Sequence, residues 1–393
     1  MRIEKWVYGG DGLSRVDGRI VLTPFVLPGE TAVVEPSPYR AGIFTGRVTE
    51  IREPSPHRVD PPCPYFGRCG GCQYQHAPYG YQVDRKVDIL REVLRRVGKM
   101  EAPAEIATVT GEPWNYRNRI QLHLEHAGLG YRAQASHKLI PITQCPIASP
   151  RLNEAIAALL GMMEDRRFPR FLRSLELFTN ETETQFHVLE TERPLAKAFF
   201  EWCEERIPGA AARSLDYRAA GESFRVGRKS FFQVNRHLVD QLPAAALGGA
   251  AGESALDLYA GVGLFSLPLA RRFPRVTAVE SGMGAVEDLE FNASRAGLTV
   301  NAVRSSVDLY LETLASAPDF VLADPPRSGL GKAVVKELLR LRAPRLHIVS
   351  CDPSTLARDL AALCAGGYRL DRLALADLFP QTFHIESVAE LAL

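Results

Sequence analysis

Residues 255–265 read ALDLYAGVGLF, an apolar run that ends in two glycines separated by one residue. The run Ala255–Tyr259 has the composition of a buried strand, and Gly261 and Gly263 allow a tight turn in which backbone approaches a ligand closely. A helix predicted over Leu264–Arg272 offers its free N–H groups to the same ligand. The stretch therefore predicts the first strand–turn–helix unit of an α/β domain.

A carboxylate at the end of the next strand-like run indicates what this turn binds. Glu280 closes the run Val276–Glu280, at the position where a side chain can accept hydrogen bonds from both hydroxyls of a ribose. The third spaced glycine of the dinucleotide fingerprint is absent. With Asp257 before the turn and Glu280 after it, an adenosine-type ligand is favoured over a purely structural turn.

Outward from this unit, strand-like and helix-like runs alternate. Further strands are predicted over Val300–Val303, Phe320–Ala323 and Leu346–Ser350, and further helices over Gly284–Ala296, Lys332–Leu341 and Ser354–Cys364. This alternation predicts a doubly wound α/β fold with a mostly parallel sheet, which we place at residues 229–393. The runs Arg369–Leu378 and Glu386–Leu393 have only a short connection, which is typical of an antiparallel pair at the end of the sheet.

Two segments precede this domain. Residues 1–52 hold short β-like runs broken by glycine and proline, which suggests a small barrel of OB type. A proline-rich boundary follows, and residues 57–228 are expected to form a central α+β domain. Its clearest element is an amphipathic helix over Tyr81–Gly98, with Gly98 as its predicted C-cap.

Basic and aromatic residues interleave within the central segment. They are Trp114, Tyr116, Arg117, Arg119, Tyr131 and Arg132. Such interleaving suits a nucleic-acid surface, although a solvated sheet face is the commoner explanation of a run of this kind.

Composition excludes several classes of protein. The chain has 393 residues, of which 46% are hydrophobic and 24% charged, which is ordinary for a globular protein. Its 47 Lys and Arg balance 46 Asp and Glu, so a globally basic nucleic-acid binder is excluded, but a local basic face is not. No apolar run is long enough for a transmembrane helix and no secretory signal is visible, so we expect no membrane association and a cytoplasmic protein.

Three polar positions follow strand ends at the predicted ligand edge of the sheet. Asp324 opens the loop DPPR, in which two prolines would hold the carboxylate rigidly. Cys351 follows a strand and precedes a helix, whose positive end favours the thiolate, so a nucleophile is favoured over a buried packing cysteine. Glu386 opens the last strand and is a candidate general base.

The seven cysteines are too few for a disulfide scaffold, and four of them suggest a metal site. Cys63, Cys69 and Cys72 form a cluster, and Cys145 lies further along the chain, flanked by proline. Four thiolates can hold an iron–sulfur cluster or zinc, and a triplet with one remote cysteine suits a cluster better than zinc, which more often uses two close pairs.

Taken together, these residues resemble the RNA uracil-C5 methyltransferase family, which makes 5-methyluridine. The resemblance covers nearly the whole chain, including an N-terminal TRAM-like barrel. Its motifs are the four cysteines, FQVN at 232–235, DLYAGVG at 257–263, DPPRSG at 324–329, SCDP at 350–353 and HIE at 384–386. The family implies S-adenosylmethionine as methyl donor and a [4Fe–4S] cluster held by Cys63, Cys69, Cys72 and Cys145.

The resemblance also implies roles for individual side chains. Gln233, Tyr259, Glu280 and Asp324 would contact the donor. Cys351 would be the nucleophile and Glu386 the base. Two positions depart from the family: Leu264 stands where Asn is frequent, which puts one polar contact to the donor in doubt, and Asp352 stands where Asn commonly follows the nucleophile.

The chemistry of uracil explains why such residues are needed. C5 is a poor nucleophile, and addition of a thiolate to C6 makes C5 enolate-like, so that it can take a methyl group. A base then removes the C5 proton and the cysteine leaves. We expect an RNA partner, 23S ribosomal RNA in the first place and transfer RNA as the alternative, and a monomeric protein. Competing interpretations are an adenine or amide N-methyltransferase, which needs no cysteine, and a non-catalytic RNA-binding factor.

Overall fold

A computed structural model of the chain describes residues 1–40, 43–125, 128–207, 209–211 and 213–393. The strands are β1 (Lys5–Trp6), β2 (Asp11–Val16), β3 (Arg19–Pro24), β4 (Thr31–Arg40), β5 (Ile43–Glu53), β6 (Ala107–Val109), β7 (Arg119–Glu125), β8 (Gly128–Arg132), β9 (Leu139–Pro141), β10 (Leu172–Thr179), β11 (Thr184–Thr191), β12 (Ala210–Ala211), β13 (Leu215–Ala219), β14 (Glu222–Val226), β15 (Ser254–Leu258), β16 (Arg275–Glu280), β17 (Asn301–Arg304), β18 (Phe320–Ala323), β19 (Arg345–Ser350), β20 (Arg369–Ala376) and β21 (Glu386–Ala392). The helices are α1 (Tyr79–Val93), α2 (Pro150–Met163), α3 (Lys197–Arg206), α4 (Gln241–Leu247), α5 (Ser266–Ala270), α6 (Met283–Arg295), α7 (Val307–Thr313), α8 (Gly331–Leu341) and α9 (Pro353–Ala365).

The largest sheet is the α/β sheet that the glycine turn predicts. Its order is β17-β16-β15-β18-β19-β21-β20-β6, and the strands from β17 to β19 are parallel. The central strand β18 is buried along its whole length, as expected for a parallel strand covered on both faces. The predicted α/β class is therefore confirmed, and because parallel strands end at one edge, their following loops meet there.

The last two strands complete this sheet in antiparallel orientation. β21 lies between β19 and β20 and is antiparallel to both, which confirms the predicted terminal pair. β6, from the central part of the chain, pairs in parallel with the outer side of β20. Helix α1 also packs here, and its buried Ile89 and Leu90 share a core with Leu356 and Leu360 of α9.

The N-terminal sheet has the order β1-β2-β3-β5-β4. Backbone hydrogen bonds also link its two edges, since Ala32 N donates to Met1 O at 2.9 Å and Gly29 N donates to Ile3 O at 2.8 Å. The sheet is anchored by Trp6, whose ring stacks on Tyr74 with centroids 4.0 Å apart.

A second large sheet, β12-β11-β10-β7-β8-β9, forms the middle of the molecule. Helices α2 and α3 cover one face, burying Leu152, Ile156 and Phe199 against Leu175 and Phe186 of its strands. Helix α2 begins where the sequence requires, because Ser149 accepts a hydrogen bond from Leu152 N and Pro150 occupies the first turn.

Two local predictions are wrong. Gly98 ends a π-helical turn, Leu94–Gly98, but the left-handed cap is Lys99, with φ of 53°. Gly98 is small for a different reason: a Cβ there would lie 2.9 Å from the carbonyl oxygen of Ala357 in α9. The helix predicted over Leu264–Arg272 is also shorter, as α5 covers only Ser266–Ala270.

Part of the interleaved basic and aromatic stretch is interior, while Trp114, Arg117, Tyr131 and Arg132 are half-buried. Tyr116 and Asn118 are fully buried and Arg119 is 8% exposed. The Arg119 guanidinium lies 4.2 Å from the ring centroid of Phe178 and donates to Ser230 O at 3.0 Å. Tyr116 and Arg119 are therefore not part of a nucleic-acid surface, because their side chains pack inside the chain.

Candidate active site

The glycine turn forms one side of a cavity at the carboxyl edge of the main sheet. Tyr259 and Gly261 have φ of 64° and 55°, so the chain reverses sharply after β15. The Glu280 carboxylate is fixed beside this turn, because its Oε2 accepts from Gly261 N at 3.0 Å and its Oε1 from Gly282 N at 2.7 Å. The cavity has a volume of about 360 Å³, and Tyr259, Glu280, Ser306 and Gly329 are among its lining residues.

The other two predicted donor-binding residues lie outside the lining of this cavity. Asp324 follows β18, and its backbone N donates to Leu258 O at 3.2 Å, next to the glycine turn. Burial raises the pKa of Asp324 to about 7. Gln233 is buried, and its carbonyl oxygen accepts from the Asn118 side chain at 3.1 Å.

Asp257 acts from beneath the turn. It is fully buried and accepts a hydrogen bond from Ser266 Oγ. Burial first, and then the charges of Asp324 and Glu280, raise its pKa to about 7, while the hydrogen bond from Ser266 opposes that rise. Three carboxyl groups thus crowd one edge of the sheet, an arrangement that a positively charged ligand would relieve.

Cys351 and Glu386 face each other at this edge because of strand register. Ser350, the last residue of β19, pairs with Ser387 of the antiparallel β21. Cys351, which follows Ser350, and Glu386, which precedes Ser387, therefore stand opposite each other where the two strands leave the pairing. Because β21 is antiparallel, its amino end lies with the carboxyl ends of the parallel strands.

Charge and burial shape the reactivity of this pair. Burial first, and then the charges of Glu386 and Asp324, raise the pKa of the Cys351 thiol to about 11. Burial and Asp324 likewise raise the pKa of Glu386 well above its usual value. The expectation that the helix end favours the Cys351 thiolate is therefore wrong for the protein without bound ligands. Burial and two carboxylates raise the pKa by more than the helix end lowers it.

Arg327 is a residue of the site that the sequence analysis did not assign. Its charge opposes the rise that burial causes in the pKa values of Cys351 and Glu386, and after burial it lowers the pKa of His384, as do Arg117 and Lys86. Its loop is held to α9, since Thr355 Oγ1 donates to Arg327 O at 3.2 Å. The signal was its place directly after Asp324 and two prolines at the ligand edge.

The two departures from the family have clear structural positions. Asp352 caps α9, with Oδ1 accepting from the backbone N of Ser354 and of Thr355, both at 2.9 Å. Asp352 is therefore the N-cap of this helix. Leu264 is 7% exposed and packs with Val262 and Leu267, so this position offers the cavity no polar group.

Side chains of α1 bind the segment that precedes Glu386 through hydrogen bonds and an ion pair. Gln82 in α1 donates to Gln381 Oε1 at 2.9 Å and accepts from Gln381 N at 3.0 Å. Lys86 and Asp377 form an ion pair of 2.6 Å with both side chains fully buried. Sequence reasoning missed these residues, because nothing in α1 or in β20 indicates which partner each polar side chain meets.

The four cysteines Cys63, Cys69, Cys72 and Cys145 line one cavity of about 370 Å³ beside the middle sheet. Burial first and the charge of Cys145 second raise the pKa of Cys72, so these thiols face one another. Among the described residues, no three His, Cys, Asp or Glu side chains are arranged so that they would hold a single metal ion.

The sequence is similar to known RNA methyltransferases. Residues 200–392 match the family model tRNA (Uracil-5-)-methyltransferase. The chain is 33% identical to 23S rRNA (uracil(1939)-C(5))-methyltransferase RlmD of Methylococcus capsulatus, over 98% of this chain and 95% of that protein. It is 31% identical to an uncharacterized RNA methyltransferase of Aquifex aeolicus, over 100% of this chain and 97% of that one.

A solved structure is similar over the full length. Pyrococcus abyssi tRNA (uracil-54, C5)-methyltransferase, in complex with S-adenosyl-L-homocysteine, gives a TM-score of 0.78 at 26% identity, with both chains covered completely. In the part of the chain that the structure describes, no helix has the length and apolar character needed to cross a membrane.

The α/β sheet with its glycine turn, together with these similarities, shows an S-adenosylmethionine-dependent methyltransferase. Within that class, full-length similarity above 30% identity shows that the chain belongs to the family of RNA (uracil-C5) methyltransferases. Methyl transfer to C5 of uracil in RNA is the reaction of this family.

Proposed function

We propose that this enzyme methylates one uridine of 23S ribosomal RNA through a covalent bond between Cys351 and C6 of the base. The observation that supports the covalent step is the β19–β21 register, which sets Cys351 opposite Glu386 beside Asp324. Ribosomal RNA is favoured over transfer RNA because relatives that match nearly the whole chain above 30% identity carry that specificity in their names.

In the proposed reaction, S-adenosylmethionine supplies an electrophilic methyl group next to the base. The Cys351 thiol gives its proton to water, the thiolate sulfur adds to C6, and the electron pair of the C5–C6 double bond moves toward C5 and O4. C5 forms a bond to the methyl carbon as the methyl–sulfur bond breaks. The Glu386 carboxylate then takes the C5 proton, the C6–sulfur bond breaks, and the C5–C6 double bond returns.

Each half of the site has its own task in this proposal. Tyr259 and Glu280, which line the cavity, hold the donor together with Gln233 and Asp324, and the crowded carboxylates favour its positive charge. Arg327 offsets part of the negative charge that develops as Cys351 ionises and as the base becomes enolate-like. Since C6 must be reached from one face, the target nucleotide is flipped out of its stack.

The function is tested by mapping 5-methyluridine in RNA from a strain that lacks the gene, and again after the gene is restored. We expect one uridine of 23S ribosomal RNA to lose its methyl group and regain it. The purified enzyme should transfer methyl groups to unmodified 23S ribosomal RNA and not to transfer RNA. Methylation confined to transfer RNA would overturn the ribosomal assignment while leaving the chemistry intact.

Glu280 provides the sharpest test of the donor site. Glu280→Ala is expected to weaken S-adenosylmethionine binding by about tenfold or more, because a carboxylate that accepts from ribose hydroxyls is lost, with RNA affinity unchanged. Calorimetry measures the first quantity and filter binding the second. Glu312→Ala, at an exposed position of α7, is the matched control. An unchanged donor affinity in Glu280→Ala would remove this residue from the site.

We also propose that the four cysteines hold a [4Fe–4S] cluster. They fit this group in chemistry and place, since all four line one cavity. Four thiolates are the ligand set of a cubane cluster. The cluster would stabilise the middle part of the chain.

Metal analysis tests this assignment. Protein purified without oxygen should be brown and contain about four irons per chain, because one cubane holds four. Cys72→Ser should lose the colour and the iron, and Cys364→Ser, in α9 and away from the cavity, should keep both. Stoichiometric zinc with no iron in the unaltered protein would contradict the cluster.

The N-terminal sheet is proposed to be the predicted small barrel that binds RNA, and the hydrogen bonds that link its two edges support this.

A second RNA contact is proposed near the cysteine cavity. There Phe231 is 63% exposed and follows the exposed Arg228 and Lys229, a pairing of aromatic and cationic side chains that suits an unstacked base and its phosphate.

A further inference from the structure

The turn between β1 and β2 carries one side chain of the N-terminal sheet to the nucleophile. Tyr8 Oη lies 3.3 Å from Asp352 Oδ2 and 3.5 Å from the carbonyl oxygen of Cys351, and it donates to the carboxylate. The turn can come this close because Gly10 has φ of 98° and because a Cβ there would lie 2.9 Å from the side chain of Gln73. The contact joins residues 343 or more positions apart.

The ring of the same tyrosine contacts the other catalytic segment. The rings of Tyr8 and Phe383 meet edge to face, with centroids 5.7 Å apart. Phe383 belongs to the short connection that leads into β21 and therefore to Glu386. One half-buried side chain thus contacts the segment of the nucleophile through its hydroxyl and the segment of the base through its ring.

We propose that Tyr8 is a positioning residue of the methyl-transfer site, which sets the Cys351 segment and the Glu386 segment relative to each other and binds the Asp352 carboxylate. This inference rests on the proposed covalent mechanism and deepens it. The N-terminal sheet, proposed above as an RNA grip, is then also part of the catalytic centre.

The electrostatic part of this role follows from the geometry of Asp352. Its Oδ1 is taken by two backbone N–H groups of α9, so Oδ2 is the oxygen that accepts from Tyr8. The Tyr8 hydroxyl donates to that oxygen and withdraws part of its negative charge. Cys351 also faces Glu386, Asp324 and the opposing cation Arg327, so a further uncompensated carboxylate would make its thiolate still harder to form.

Tyr8→Phe separates the hydroxyl from the ring. We expect turnover to fall about fivefold, with unchanged KM for RNA and unchanged donor affinity, because a hydrogen bond to a charged group beside the nucleophile is lost. The rate at which iodoacetamide alkylates Cys351 in the full chain, followed on its peptide by mass spectrometry, should need a higher pH. A loss of packing alone would not move this pH profile. Tyr81 is the matched control, because its ring packs edge to face on Trp6 of the N-terminal sheet. Tyr81→Phe should behave as wild type.

A double substitution tests the partner. Asp352→Asn removes the negative charge, so adding Tyr8→Phe to it should cost much less than Tyr8→Phe alone. Fully additive effects, or an unshifted alkylation profile with wild-type turnover in Tyr8→Phe, would overturn the proposal. The proposed mechanism is scored separately by trapping wild-type enzyme on RNA that contains 5-fluorouridine: an adduct there with no Tyr8 effect rejects only the role of Tyr8, and no adduct rejects the covalent mechanism.

Discussion

Cys351→Ala is expected to abolish methyl transfer, lowering turnover by at least about 10³-fold, while RNA binding and donor affinity stay near those of the wild type. Without the sulfur no bond forms at C6, and C5 of uracil remains too poor a nucleophile to take the methyl group. The side chain is small and half-buried at a strand end, so its truncation leaves the fold intact.

Covalent trapping shows whether the sulfur is the reason. With RNA that carries 5-fluorouridine at the target, the wild type should become bound irreversibly, because fluorine stands where the base would remove a proton. A denaturing gel should show this adduct for the wild type and for Cys364→Ala, a control in helix α9, which follows Cys351, and none for Cys351→Ala. Unchanged turnover in Cys351→Ala would contradict the nucleophile and favour a mechanism that needs no covalent step.

The parts of this site that the sequence predicts are those set by local pattern. Strand ends carrying Glu280, Asp324 and Cys351 follow from apolar runs of ordinary length, and the shared edge follows from the parallel order of the strands. Helix α7 was missed because seven residues with no glycine or proline boundary give too little periodicity to recognise.

The rest depends on contacts between distant segments, which no local pattern contains. Strand β21 lies between β19 and β20, and this order brings Glu386 to Cys351. The sequence of β21 does not indicate which strands it pairs with. The burial of Tyr116 is similar: its hydroxyl donates to Pro380 O at 3.0 Å, a partner that only the folded chain provides. A basic and aromatic stretch in the sequence is the same whether its side chains meet RNA or their own protein.

The thiol of Cys351 illustrates how such contacts change chemistry. A helix end alone lowers a cysteine pKa, and that was the sequence-based expectation. The folded edge adds burial and two carboxylates, and the pKa rises to about 11. The Cys351 thiolate therefore forms more readily when positive charge offsets these carboxylates. In the proposed mechanism, the bound donor and Arg327 supply that positive charge.

Glu386→Gln is expected to separate methylation from release. The glutamine keeps the shape of the side chain but cannot accept the C5 proton, so the methylated base should remain attached to Cys351. Release should slow by about 10²- to 10⁴-fold, the usual contribution of a positioned base. Ordinary uridine RNA should then give a gel-stable adduct in this variant, and Glu390→Gln in the same strand, whose partner is Arg372 at 2.6 Å, should give none.

The pH dependence of release provides the decisive readout. Burial and the charge of Asp324 raise the pKa of Glu386, so the deprotonated form that accepts the proton becomes more abundant as the pH rises through that raised pKa, and wild-type release should accelerate with rising pH. Release from Glu386→Gln should lose that dependence, since the titrating group is gone. A variant that releases product at the wild-type rate, with the same pH profile, would show that another group removes the C5 proton. The half-buried Asp324, with a pKa of about 7 at the same edge, would then be the first candidate.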